Sequence, residues 1–136
     1  MKQFWLNLPV KDINKSREFF TKLGFTFNTG QGNGPNSVCM LLGDNGVVVM
    51  LFDEPTFKGF TNNEITSTRQ STEVLLSIDA QSKEEVDEMV EKAIAAGGSS
   101  SHKPSEMKGF MYGCVFNDLD GHKWNILYMD YSKMPK

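Results

Sequence analysis

An α+β fold of two βαβββ modules, curled into a half-barrel around one cleft, is predicted by three observations. The same order of strand and helix patterns runs twice along the chain, offset by about 68 residues. Each pass opens on a strand in which apolar residues alternate with others. Each of these strands leads into one apolar stripe at helical spacing. The expected organisation is a single domain, with modules at residues 1–53 and 72–130 joined by a linker at 54–71.

In the first pass, Phe4, Leu6, Leu8 and Val10 alternate with Gln3, Trp5, Asn7 and Pro9, the period of a half-buried strand. Asp12 is placed to cap a helix. Ile13, Ser16, Phe19, Phe20 and Leu23 line one face of that helix, and Gly24 ends it. Phe25-Thr26-Phe27 begins a second strand, and residues 30–35 are loop by composition. Ser37 to Leu42 and Val47 to Phe52 read as a hairpin across Asp44-Asn45-Gly46. Residues 54–71 are polar, with Pro55, Gly59 and four threonines, and read as a linker with room for one helical turn. Its Phe57 and Phe60 are free to dock on the cleft or on another chain.

The second pass repeats the order. Val74, Leu76 and Ile78 alternate with Glu73, Leu75, Ser77 and Asp79. Ser82 and Glu85 form a capping box, in which each side chain serves a free amide at the helix start. Val86, Met89, Val90, Ala93 and Ile94 supply the stripe, and Gly97-Gly98 stops the helix. Ser99 to Lys103 is expected as a weak edge strand, followed by strands over Phe110 to Phe116 and Lys123 to Met129.

Composition excludes several classes. A net charge of -3 gives no reason to expect nucleic acid or an anionic membrane as partner. No run approaches the roughly 20 apolar residues of a membrane span, and no apolar leader precedes the first strand, so the cytoplasm is the expected location. Cys39 and Cys114 lie singly in apolar strands and read as small buried hydrophobes rather than as a zinc clip or redox pair.

Three segments in order resemble the vicinal-oxygen-chelate superfamily, which comprises glyoxalases, bleomycin resistance proteins and extradiol dioxygenases. They are Asn7-Leu8-Pro9-Val10-Lys11-Asp12 with Ser16, Phe19-Phe20 and Leu23-Gly24-Phe25; Ser71-Thr72-Glu73; and Gly109-Phe110-Met111-Tyr112-Gly113 with Asp118-Leu119-Asp120-Gly121-His122-Lys123-Trp124. The resemblance spans about residues 3 to 130 and is nearest to the bacterial glyoxalase-like branch. It implies the fold already read from the pattern, a small-molecule ligand and pairing into homodimers.

In metal-using members of that superfamily, four cleft-facing strand positions supply His and Glu ligands. Alignment puts those positions on Trp5, Met50, Glu73 and Asn125. Alternation agrees for three of them, since Trp5, Glu73 and Asn125 stand opposite the apolar sets of their strands. Tryptophan offers no lone pair, methionine is a soft ligand, Asn125 a weak neutral one, and Glu73 alone a strong hard donor. His102 in a serine-rich segment and His122 beside a turn glycine read as surface and turn residues. The expectation is therefore no bound metal and no cofactor.

The cleft lining so predicted is Trp5, Asn7, Met50, Phe52, Glu73, Leu75, Asn125 and Leu127; the bulky, glycine-hinged segment with Tyr112 fits either a gate at the cleft mouth or an ordinary hairpin with strand aromatics. Such a surface suits a flat or aromatic molecule held by stacking and oriented by a few polar groups. Trp5 fits either core packing or ligand contact. Glu73 fits either a solvated carboxylate or, if desolvated, the one candidate acid/base. Three functions follow in order of fit: a metal-free small-molecule binder, a lactoylglutathione-lyase-like or dioxygenase-related enzyme, and a dimer with a vestigial cleft.

Overall fold

Asp12 starts the first helix as its position predicts, with Oδ1 accepting the Lys15 amide at 3.0 Å. The computed structural model describes residues 1–135, which divide into two compact units, Met1–Ser67 and the chain from Thr68 on.

The first unit runs β1 (Trp5–Val10), α1 (Ile13–Lys22), β2 (Thr26–Phe27), β3 (Ser37–Leu42), β4 (Val47–Asp53) and α2 (Glu54–Thr61). Its mixed sheet has the order β1-β4-β3-β2, with β1 parallel to β4 and the other pairs antiparallel. A parallel pair needs a long crossover, and α1 with β2 and β3 supplies it. All five residues of the predicted α1 stripe are buried, and Leu8, Val10, Val38, Met40, Val49 and Leu51 meet them from the sheet. Phe19 and Phe20 pack edge to face with centroids 5.0 Å apart. Gly24 at φ +92 closes α1, its amide bonding to Thr21 and the next amide, of Phe25, reaching back to Phe20.

The second unit runs β5 (Leu75–Asp79), α3 (Lys83–Ala95), β6 (Ser105–Met107), β7 (Met111–Asn117) and β8 (Lys123–Met129), then a 3₁₀ turn at Tyr131–Lys133. Its sheet order, β5-β8-β7-β6, repeats that of the first unit. Val86, Val90 and Ala93 of α3 are buried, as are Phe116, Trp124 and Ile126 of the sheet. The helix ends as α1 does, with Gly97 at φ +108 and the Gly98 amide bonded to Ala93. Ser82 Oγ accepts the Glu85 amide at 3.1 Å, but the Glu85 carboxylate reaches past Ser82 to the Gln81 amide at 2.7 Å. Both cysteines are buried and unpaired. Among the described residues, no helix is long and apolar enough to cross a membrane.

Four expectations need correction. The stretch read as a linker begins with α2, a helix of eight residues. Asp53 caps it, Pro55 sits in its first turn where no backbone donor is missed, and Asn62 closes it in the left-handed region. The edge strand expected at Ser99–Lys103 is reduced to one bridge between Ser99 and Asn117, and the strand lies at Ser105–Met107. Phe4 and Val74, assigned to the apolar faces of their strands, precede β1 and β5 and are 74% and 46% exposed. Ile94, the last member of the α3 stripe, lies in the last turn of the helix and is 52% exposed.

Candidate functional site

Register decides which side chains share a face. In the first unit Asn7 stands beside Met50, and Met50 beside Cys39; one step along, Pro9 stands beside Phe52, and Phe52 beside Ser37. Alternation then puts Trp5, Asn7, Pro9, Met50, Phe52 and Cys39 on the face turned away from α1. The opposite residues, Leu8, Val49 and Leu51, are the buried ones. The four site residues expected from the first module, Trp5, Asn7, Met50 and Phe52, therefore do lie together.

That face is mostly apolar, and its ends are covered differently. The Phe60 ring of α2 stands edge-on to Phe52, centroids 5.0 Å apart, so the helix hidden in the supposed linker borders the face. At β3 the loop of residues 28–36 folds over it. Gly32, at φ +89, lies so close that a Cβ there would stand 3.1 Å from Cys39 Cβ and 3.4 Å from Met50 Sδ. Asn33 ties the loop down, donating to the carbonyls of Asn28 and Gly30 and accepting from the Cys39 amide at 3.2 Å. This cover explains why Cys39 is buried on an otherwise open face. Trp5 remains 52% exposed, a large apolar surface left in water.

Asn7 is the polar exception. Its Oδ1 is buried and has no hydrogen-bond partner. A desolvated acceptor without a donor costs about 1–3 kcal/mol, so the fold carries this oxygen at a loss.

In the second unit, Asn125 lies between Ser77 and Val115 on the face turned away from α3, and its Nδ2 donates to Ser77 Oγ at 3.2 Å. Glu73 is exposed and stands two residues ahead of β5, outside the sheet. Tyr112 lies within β7, on the opposite face of its sheet from Asn125. It pairs with Tyr128 on the helix side of the sheet, and its hydroxyl donates to Asp87 of α3 at 2.6 Å. The same alternation that assigns Tyr128 to the helices assigns Tyr112 there too.

That hydrogen bond to the Asp87 carboxylate is the chief reason the Tyr112 phenol is pushed up to about 12. The folded value lies above the unfolded one, so the associated stability is whole below about pH 10 and is lost as pH rises through about 12. Absorbance titration should show the Tyr112 phenol ionising above the ordinary tyrosine value of about 10, and Asp87→Asn should bring it down toward that value. A titration curve that Asp87→Asn leaves unchanged would contradict the assignment.

Beside Tyr112 lies a hollow of about 90 Å³, lined in part by Lys83, Glu106, Phe110, Tyr128, Asp130 and Lys133. It is far smaller than the roughly 300 Å³ at which drug-sized ligand pockets begin. Its charges are spent on one another, Lys83 on Glu106 and Lys133 on Asp130. It lies on the helix side of the second sheet and shares none of the other expected site residues.

Sequence reading overlooked the most enclosed polar group in the second unit. Asp118, 5% exposed, accepts the amides of Asp120 and His122 on Oδ1 and the Trp124 indole N–H on Oδ2. Burial pushes its carboxyl above the usual range, against the pull of His122 and these donors. It locks the turn between β7 and β8. The signal for it was an Asp six residues before a core Trp, across a turn glycine.

The donor chemistry for a metal is poor. Trp5 and Met50 bring an indole and a thioether, and among the described residues no three His, Cys, Asp or Glu side chains come together as a metal-holding group. The residues at the aligned positions do not fit a hard divalent ion.

The family model for the Glyoxalase/Bleomycin resistance protein/Dioxygenase superfamily matches residues 2–126. Among solved structures, a hypothetical protein from S. aureus is 33% identical, with a TM-score of 0.84 and 94% of each chain covered. A glyoxalase/bleomycin resistance protein/dioxygenase family enzyme from Burkholderia phytofirmans is 21% identical, with a TM-score of 0.78, covering 93% of this chain and 97% of that one. A genomically encoded fosfomycin resistance protein from Listeria monocytogenes is 20% identical, with a TM-score of 0.66, covering 97% and 96%. At such identity the last two speak for the fold alone. No curated protein matches the chain.

Proposed function

Because the chain belongs to the glyoxalase/bleomycin resistance protein/dioxygenase superfamily, we propose that it binds a small, flat, largely aromatic molecule on the open face of its first sheet, without the metal site of the family's enzymes. Trp5 and Phe52 offer stacking surface, Met50 an adaptable floor, and Asn7 the polar point that sets orientation. In the second unit Asn125 is the polar point of the corresponding face, and Glu73, exposed ahead of β5, gains an acid/base role only where a bound ligand desolvates it. Tyr112 is left out, its hydroxyl being committed to Asp87. The proposal places the protein in the cytoplasm as a homodimer, with no cofactor and neither nucleic acid nor membrane as partner.

One observation carries this reading: the Asn7 Oδ1 that lacks a donor amid apolar side chains. A ligand N–H or O–H that meets this oxygen, once the Asn7 side chain turns outward or its cover is displaced, removes the desolvation cost, so the ligand class is an aromatic body bearing a hydrogen-bond donor.

Thermal shift and calorimetric titration with paired aromatic compounds, with and without such a donor, test it; the fosfomycin resistance relative recommends antibiotic-like members in the panel. Asn7→Leu keeps the bulk and should erase the preference for the donor-bearing compound, a loss of about 5- to 150-fold in affinity. Trp5→Ala should weaken every member of the panel. Binding that ignores both substitutions sinks the site. Transition metal retained at stoichiometric level, with an activity lost to a chelator, sinks the metal-free reading and restores the lyase or dioxygenase alternative.

A further inference from the structure

Two Asn-Gly steps lie in the first unit, Asn33-Gly34 and Asn45-Gly46. A glycine amide is the least hindered backbone nucleophile, because no Cβ shields it. In such a step the glycine nitrogen attacks Cγ of the preceding asparagine. The Cγ–Nδ2 bond breaks, the side-chain nitrogen takes a proton and leaves as ammonia, and a cyclic imide remains. Water then adds to either imide carbonyl, giving aspartate or its isoaspartyl isomer. Solvent water is the one co-reactant, and nothing is oxidised or reduced.

We propose that Asn45 is a site of spontaneous deamidation in the native protein, while the fold protects Asn33. The two steps are chemically alike, and their surroundings are opposite. Asn33 is half-buried and uses both ends of its amide, Nδ2 on the carbonyls of Asn28 and Gly30 and Oδ1 on the Cys39 amide. The Gly34 nitrogen that would attack is bonded to the Ser37 carbonyl at 3.0 Å. Reaction there requires the loop over Cys39 and Met50 to come apart first.

Asn45 is exposed at the tip of the β3–β4 hairpin, and among the described residues its side chain makes no hydrogen bond. The tie on the attacking nitrogen is a single 3.2 Å bond from Gly46 to the Gly43 carbonyl, inside a turn flanked by two glycines at φ +70 and +64. Nothing packs on either glycine, so the turn can rearrange without disturbing the core. The product matters to the face described above. It adds a carboxylate beside Asp44, and the isoaspartyl form adds one backbone carbon at the turn that sets Leu42 against Val47, the start of the strand carrying Met50 and Phe52.

The test is to incubate the full chain in mildly alkaline buffer and follow both steps by peptide mapping and mass spectrometry, with isoaspartate labelled enzymatically. Asn45 should convert to aspartate and isoaspartate while Asn33 lags by at least about tenfold, as several hydrogen bonds must open before it can react. In concentrated urea the two rates should converge, since the difference belongs to the fold. Asn45→Gln should abolish the product at that step and leave Asn33 as slow as before. Equal rates in the folded chain, or an Asn45 that stays intact there, overturn the proposal.

Discussion

Asp118→Ala is expected to lower stability by at least about 3 kcal/mol, because it takes one acceptor away from three donors at once. Two of these are the Asp120 and His122 amides, and the third is the indole N–H of Trp124, which is fully buried. The turn they define leads straight into β8, so the loss spreads from a local contact to the pairing of β7 with β8. Urea unfolding followed by tryptophan fluorescence measures it. Asp118→Asn is the sharper variant. It keeps one oxygen for the two amides but turns an NH₂ toward the Trp124 donor, and should cost about 1–3 kcal/mol. Trp124→Phe removes that donor, so the cost of Asp118→Asn should shrink in the Trp124→Phe background. Additive costs would show that the indole contact carries no weight.

The same carboxyl makes a pH prediction whose sign is fixed. Burial raises its value in the fold above the ordinary aspartate value near about 4. The folded chain thus holds this proton more tightly than the unfolded chain does. Its contribution is fully present below about pH 4 and is lost as pH rises through the raised value. The stability gap between wild type and Asp118→Asn should therefore widen as pH is lowered toward about 4. A gap independent of pH would mean that the carboxyl titrates alike in both states.

Gly113→Ala is the second substitution expected to be severe. Gly113 lies in the middle of β7 opposite Leu127. A Cβ there would stand 2.5 Å from Leu127 Cδ2 and 2.6 Å from the Ile126 carbonyl oxygen. The leucine can swing away, but the carbonyl belongs to the β8 backbone and cannot do so without opening the sheet. Overpacking of this kind costs about 1–3 kcal/mol, at about 3–5 °C of Tm per kcal/mol for a chain of this length. Leu127→Ala in the same chain should relieve the part due to the side chain and leave the part due to the carbonyl. A Gly113→Ala protein that melts with the wild type would mean that the strands separate freely at this point, against the unbroken seven-residue register of β7 on β8.

Sequence periodicity determined a good deal of this molecule. The strands at Ser37–Leu42 and Lys123–Met129 begin and end where alternation places them, and the α1 stripe is buried to its last member. The starts and glycine stops of α1 and α3 were equally plain, because caps and stops act through neighbours a few residues away. A period of two alone put Trp5 and Asn7 on one face; Met50 came from the family resemblance, and it is the parallel register of β4 on β1 that sets Met50 and Phe52 beside them. Only the tertiary structure decided the rest. Glu54–Thr61 is poor in helix formers, and α2 stands by packing on β1 and β4, a contact with no local signature. That Gly32 and Asn33 close over Cys39, that the Asn7 oxygen is stranded and that Asp118 is enclosed all depend on groups brought close by folding. Short-range patterns report which way a side chain points. What it meets there depends on the three-dimensional path of the rest of the chain.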